Sequence, residues 1–222
     1  LNGVFVTGTG TEVGKTVVAA VIARTLATQG QKVAVFKPAI TGLDEAGEPD
    51  HALLRRAAGS TQGDEEIAPY RYGPPASPHL AAELAGEEIE RELLLAAAAG
   101  AAAGADALVC EGVGGLLVPL SRDYLVRDLA ADLGLPIVVV ASPGLGTINH
   151  TLLTIEATRA AGLAIDVVVL TPWPKDPSRV QISNRETIEA LGKVEVEVLS
   201  PLNLDDLQSW DVNWRLIRRM AG

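Results

Sequence analysis

The sequence has 222 residues, a formal net charge of −10 and a pI near 4.8. That balance excludes extended docking on nucleic acid or anionic membranes, since both need basic fields. An apolar fraction of 48% in short runs excludes a disordered chain and leaves a folded domain that holds its ligand with a few local cations and backbone N–H groups.

In chain order, Gly3 to Thr7 is predicted as a short buried strand, and the apolar spacing from Thr16 to Gln29 as a helix that Gly30 ends. A strand follows at Lys32 to Phe36. The acidic, turn-rich stretch from Gly42 to Asp50 reads as a loop before a helix at His51 to Ala58, and Tyr70 to Pro78 as another loop. The Ala-rich tract from Glu87 to Gly104 reads as a helix. Further strands are expected at Ala107 to Cys110, Ile137 to Ala141, Ile165 to Leu170 and Val194 to Leu199. Helices are expected at Val126 to Leu133, Ile148 to Ala161 and Arg179 to Leu191. Near the end Trp210 and Trp214 stand at the spacing of one helix face, which suits a core or interface role.

This alternation is the pattern of an α/β fold, a mostly parallel central sheet with helices on both faces. No Ser/Gly linker or fixed-period repeat divides the chain, so one domain over residues 1–222 is expected. No basic segment with a long apolar run and a cleavage site opens it, and no later apolar stretch reaches about 18 residues. With a single cysteine, Cys110, in an apolar run, these features predict a cytoplasmic protein in a reducing compartment. The first residue is Leu1 rather than Met, which fits a processed or trimmed chain.

The chemistry starts after the first strand. Gly8-Thr9-Gly10-Thr11-Glu12-Val13-Gly14-Lys15-Thr16 runs directly into a helix, the context a phosphate loop requires. Glycines let the backbone turn its N–H groups toward phosphates, and the helix N-terminus adds about half a positive charge. Lys15 is placed to reach the terminal phosphates and the Thr16 hydroxyl to coordinate Mg²⁺. Five residues rather than the common four separate Gly8 from Gly14. Because Mg²⁺ takes oxygen ligands, carboxylates are also needed. Glu111, read as ending its strand at the carboxyl edge of the sheet, is the leading one, with Gly112, Gly114 and Gly115 keeping the next backbone thin. Asp50 serves either as a second carboxylate or as an N-cap before His51.

With these come Lys37-Pro38-Ala39-Ile40-Thr41-Gly42, Asp50-His51-Ala52-Leu53, Ser77-Pro78-His79, Glu111-Gly112-Val113-Gly114-Gly115 and Ile148-Asn149-His150. In order and spacing they resemble the dethiobiotin synthetases, a family of the P-loop NTPase fold, over roughly Val4 to Leu170. The resemblance implies a Mg²⁺-dependent ligase of biotin biosynthesis that converts 7,8-diaminononanoate, CO₂ and ATP, or another nucleoside triphosphate, to dethiobiotin. A carbamate forms, takes the γ-phosphoryl group, and is closed to a cyclic urea by the second amine.

By the same resemblance Thr16, Asp50 and Glu111 hold Mg²⁺, while Glu12, Val13, Gly14, Lys15, Thr16 and Val17 wrap the phosphates with Asp50, Glu111, Gly112, Val113 and Gly114 nearby. Lys37, Lys15 and Thr11 carry the chemistry. Thr11, Lys37, Thr41 and Pro78 line the diamine, and Thr41 stands where a serine is more usual. The loop Gly144 to Asn149 reads as an anion site at a helix N-terminus, and the family places the diamine's carboxylate there, at Leu145, Gly146, Thr147 and Asn149, beside a subunit interface of a homodimer. Helix capping by Thr147 and Asn149 is compatible with that role. Base contacts fall to Thr171, Pro172, Ser200, Pro201 and Leu202. Here Thr171-Pro172-Trp173 replaces the family's adenine-reading asparagine, so tolerance of several nucleoside triphosphates is expected.

Three other functions fit parts of the pattern. A partitioning-type nucleotide-switch ATPase usually carries a further lysine early in the loop, and Val4 to Gly14 has none. A binding module without catalysis is expected to lose Lys15, Lys37 or Glu111, and all three are present. A related ligase on another small acid is disfavoured by the Lys37 and Asn149 blocks. His51, His79 and His150 are too scattered for a zinc site and are read as structural.

Overall fold

The computed structural model describes residues 2–44, 47–210, 212 and 214. The chain runs β1 (Gly3–Gly8), α1 (Lys15–Thr28), β2 (Val33–Phe36), β3 (Ala39–Ile40), α2 (Asp50–Ala58), α3 (Asp64–Ile67), β4 (Tyr70–Arg71), α4 (Pro78–Ala85) and α5 (Arg91–Ala102). It continues through β5 (Ala107–Gly115), α6 (Val126–Leu133), β6 (Ile137–Ala141), α7 (Thr147–Ala160), β7 (Ile165–Leu170), α8 (Arg179–Gly192) and β8 (Val196–Val198), and a short 3₁₀ turn lies at Leu207–Ser209. Six strands form one sheet in the order β2-β5-β1-β6-β7-β8, and every pairing in it is parallel.

Side chains alternate across a strand, and here both faces are buried, so the strands read as continuous apolar runs. Val4 and Val6, with Val33, Val35, Val109, Val138 and Val140, pack against α1 and α2 through Val18, Ile22, Leu26 and Leu54. Phe5, Phe36, Leu108, Cys110, Ile137 and Val139 point the other way, toward Leu94 of α5, Leu129 of α6, Ile155 of α7 and Ile188 of α8. The expected layered architecture is therefore present, with helices on both faces.

Several local readings need correction. The Tyr70 to Pro78 stretch contains β4, which pairs with β3 in a separate two-stranded sheet, and it runs into the unforeseen α4. The Ala-rich helix starts at Arg91, not Glu87. Ile89 is buried in the core and the Glu90 N–H donates to the Tyr70 hydroxyl at 2.8 Å, which holds the approach extended. Trp210 and Trp214 lie outside any helix: the Trp210 indole donates to the Asn203 carbonyl, and Trp214 is buried and donates to that of Val198. Trp214 is thus a core residue. The terminal residues 1 and 215–222 of the expected domain lie outside the described residues.

Strand β2 is an edge, and a side chain covers part of it. The Gln62 amide accepts from the Val35 N–H at 2.9 Å and donates to the Val35 carbonyl at 3.1 Å, acting as one residue of a missing strand. Gln62→Leu removes both partners from a residue that is itself fully buried. A loss of about 1–3 kcal/mol is expected from leaving such groups unsatisfied, read as a lower midpoint in urea unfolding. Among the described residues no helix is long and apolar enough to cross a membrane.

Candidate active site

Strand order reverses around β1, between β5 and β6, and a crevice outside the carboxyl ends of the strands at such a point is where open α/β sheets bind ligands. The loop from Gly8 to Lys15 fills it. Gly14 turns at φ 93° and Glu12 at φ 58°, the left-handed backbone that aims successive N–H groups inward. A Cβ on Gly8 would stand 2.7 Å from the Val13 side chain, so that glycine is needed for the loop's closeness. The Lys15 ammonium folds back on the loop and donates to the Gly10 carbonyl at 2.7 Å, only 7% of the residue being exposed. Burial lowers its pKa below the ordinary lysine value, with partial relief from Glu111.

Four separated segments converge behind this loop. Glu111 Oε1 accepts from the Thr16 hydroxyl at 2.9 Å and from the Lys37 ammonium at 2.7 Å. Lys37 also meets Asp50 Oδ2 at 2.7 Å and thus bridges the two carboxylates. Asp50 opens α2 rather than capping it, because Pro49 occupies the N-cap position, and its side chain is 43% exposed toward the crevice. Glu111 lies inside β5 rather than at its end, in register with Val6, and is fully buried. The strand continues because Gly115 pairs with Gly8 and because Gly112 sits where a Cβ would press on Phe5 and Val126 at 3.0 Å.

Burial raises the Glu111 carboxyl above its ordinary value against the pull of Lys37. Burial also opposes the Lys37 charge, but Glu111 and Asp50 outweigh it and hold the amine above the ordinary lysine range. For Asp50, burial is overcome by the charge and hydrogen bond of Lys37, so its carboxyl stays below the usual range.

These donors fit a hard divalent cation. Glu111 Oε2 is buried without a hydrogen-bond partner among the described residues, and the Thr16 hydroxyl and Asp50 carboxylate supply further oxygens close to it. Among the described residues no three His, Cys, Asp or Glu side chains are grouped so that they could hold a metal ion. The set suits Mg²⁺, which uses one or two carboxylates and completes its shell with phosphate and water.

The other expected residues spread around this cluster. Thr11 is exposed and shares a cleft of about 460 Å³ with Gly8, Gly10, Leu116, Val118 and His150. Thr41 is half-buried and shares a recess of about 240 Å³ with Asp50. Pro78 is buried at the first turn of α4. Leu145 is 97% exposed, Gly146 takes φ 90° and Asn149 is exposed, whereas the Thr147 hydroxyl points inward to Thr151 at 3.3 Å. Val13 and Val17 are half-buried beside the loop, and Gly112, Val113 and Gly114 continue β5 beneath it.

Thr171 reaches the phosphate loop, since a Cβ on Gly14 would come within 2.7 Å of its methyl. Thr171-Pro172 and the stretch Ser200 to Leu202 are brought together by the Leu199 N–H bonded to the Leu170 carbonyl and the Trp173 N–H to that of Leu199. His51 is buried 3.5 Å from Asp64, His79 lines a separate cavity with Glu83 and Glu87, and His150 borders the cleft. None joins the cluster. The sequence reading missed Asn184, a buried amide on α8 that holds the loop before α7. Its signal was a polar residue in line with Ile188 and Gly192 on the helix's buried stripe.

A family profile described as an AAA domain matches residues 2–202. An ATP-dependent dethiobiotin synthetase from Anaeromyxobacter dehalogenans (strain 2CP-1) is 45% identical over 188 residues, covering 84% of each chain. Proteins of the same name from Bacillus subtilis (strain 168) and Rhodococcus erythropolis (strain PR4) are 35% and 40% identical, over 90% and 89% of this chain and 87% of each of theirs. A solved ParA family ATPase from Chlorobium tepidum superposes with a TM-score of 0.53 over 93% of this chain and 86% of that one, and at 16% identity the likeness concerns the fold alone.

Proposed function

The chain belongs to the ATP-dependent dethiobiotin synthetase family, and from that premise we propose how its residues share the work. The enzyme is a ligase that joins 7,8-diaminononanoate and CO₂ into the cyclic urea of dethiobiotin, using ATP with Mg²⁺. An amine and CO₂ give a carbamate, the γ-phosphoryl group moves to the carbamate oxygen, and the second amine displaces phosphate from the carbon.

The observation that carries the assignment of roles is the Lys37 bridge between Asp50 and Glu111 beside Lys15 and Thr16. A carbamate and a triphosphate bring several negative charges to one point, where two preorganised ammonium groups and the loop N–H groups stabilise the transferring phosphoryl group. Lys15 leaves the Gly10 carbonyl for the terminal phosphates, and Lys37 serves the carbamate side. Glu12 to Val17 enclose the phosphates. Thr16, Asp50 and Glu111 hold the metal, which when bound neutralises phosphate charge. Thr11, Thr41 and Pro78 border the diamine, and Leu145, Gly146, Thr147 and Asn149 receive its carboxylate.

Thr171 and Pro172 offer no side-chain amide to a base, and the exposed Ser200 and Pro201 with Leu202 leave mainly backbone groups for it. We therefore expect dethiobiotin, followed by mass spectrometry, from ATP, GTP, CTP and UTP alike, with kcat/KM values within about tenfold because a single base hydrogen bond contributes about 0.5–1.5 kcal/mol. A preference for ATP of about a thousandfold contradicts that tolerance.

The chain acts as one cytoplasmic domain, supported by apolar layers that run from Val4 to Trp214 and by a lone buried cysteine. It works as a homodimer. Leu117 and Leu153 are 53% and 56% exposed at the cleft beside Thr11, an apolar rim that a second copy covers. Sedimentation at the monomer mass under assay conditions contradicts this.

A further inference from the structure

We infer that Asn184, on α8, is a positioning residue for substrate selection: its buried amide pins the carbonyls of Pro143 and Gly144 so that the loop entering α7 presents its N–H groups outward. The inference rests on the proposed reading of that loop as the seat of the diamine's carboxylate.

Asn184 is 6% exposed, and its Nδ2 donates to both carbonyls at 3.0 Å. Only the NH₂ end of the amide can donate, so two carbonyl acceptors define which way the group is turned. The helix carrying it is itself firmly seated. A Cβ on Gly192 would come within 2.9 Å of Ile155 in α7, a close approach that sets how α8 lies on its neighbour. Asn184 and Gly192 fall on one stripe of α8, so the contact with α7 and the grip on the loop share one face.

The consequence for the loop follows from peptide geometry. The peptide units joining Pro143, Gly144 and Leu145 are trans, and in a trans unit the C=O and N–H point in opposite directions. With both carbonyls drawn toward α8, the N–H groups of Gly144 and Leu145 face away from it. Those residues are exposed, and among the described residues no backbone acceptor pairs with the Leu145 or Gly146 N–H. Gly146, in left-handed conformation, caps α7; the Thr147 N–H returns to the Gly144 carbonyl at 3.3 Å, and the Ile148 and Asn149 N–H groups of the first turn are the donors a helix start leaves over. A carboxylate meeting this loop finds donors already oriented, and their orientation depends on Asn184.

The test compares 7,8-diaminononanoate with 7,8-diaminononane, the same vicinal diamine without its carboxylate, in the wild type, Asn184→Asp and Asn184→Ala. In the aspartate variant acceptors face acceptors and the loop loses its hold. For 7,8-diaminononanoate we expect KM to rise about tenfold in the variants, with kcat and the nucleotide KM nearly unchanged, and no change in KM for the diamine without a carboxylate. That pattern cannot come from a general loss of stability, which thermal melting monitors in parallel. Variants that keep the wild-type discrimination between the two diamines overturn the inference, as does an equal rise in KM for both diamines and the nucleotide. Failure of both variants to fold also overturns it, since Asn184 is then a structural residue. If the wild type itself does not distinguish the two diamines, the carboxylate reading of the loop falls and takes the inference with it.

Discussion

Lys37→Met is expected to lower turnover by about a thousandfold and the melting temperature by about 10 °C. Lys37 is buried and is the charge partner of Glu111, which has no exposure at all. Breaking a buried pair by removing one member costs about 3–5 kcal/mol, because the remaining carboxylate is shielded from water and keeps only the Thr16 hydroxyl and the more distant charge of Lys15. The deficit should depend on pH. The Glu111 carboxyl is already raised by burial, so the folded state favours its protonated form, and its contribution to stability is lost as pH rises through its folded pKa. Without Lys37 that pKa climbs further. Melting of the variant against the wild type is expected to show a deficit that widens from about pH 5 to pH 8. A deficit that is constant or shrinks over this range contradicts the pairing.

Lys15→Met is expected to abolish activity to a similar degree, about a thousandfold, while leaving the melting temperature unchanged or slightly higher. Lys15 is buried like Lys37, but its protonated form is disfavoured by that burial, and its ammonium donates to the Gly10 carbonyl. Removing a cation that folding disfavours costs little stability. The two lysines are therefore distinguished by a pair of measurements, kcat and thermal melting. On the proposed assignment both serve phosphoryl transfer, and only Lys37 is expected also to support the fold. If Lys15→Met proves as destabilised as Lys37→Met, the Lys15 ammonium is structural and its readiness to move onto phosphate is in doubt.

Elements bounded by clear punctuation were legible in the sequence. β6 and α6 begin and end where the periodicity places them, with Gly134 and Pro136 between them. The phosphate loop was legible because its contacts are local: strand, glycines, lysine and helix follow one another within a few residues. β5 was read short because a glutamate followed by glycines looks like a strand's end. Only pairing with β1, distant in sequence, carries it to Gly115. The two-residue strands β3 and β4 are too short for any period to register.

Thr16 and Glu111 were legible from the phosphate loop and the strand edge and Asp50 as one of two alternatives, but Lys37 and the meeting of all four were reachable only through family resemblance. Nothing local says that four segments meet at one point or that the lysine bridges both acids. Gln62 and Asn184 were missed for a related reason. Each is an ordinary amide in sequence, and its role appears only with the backbone it holds, an edge strand in one case and a loop in the other.

The most direct test of the central claim is the stoichiometry of phosphate release from ATP and Mg²⁺, with and without 7,8-diaminononanoate and bicarbonate, with dethiobiotin quantified in the same samples by mass spectrometry. Phosphate that appears only with the diamine, one for each dethiobiotin formed, is the expected result. Phosphate released at the same rate without the diamine, or no dethiobiotin with any nucleotide from protein that still binds ATP, would contradict the account.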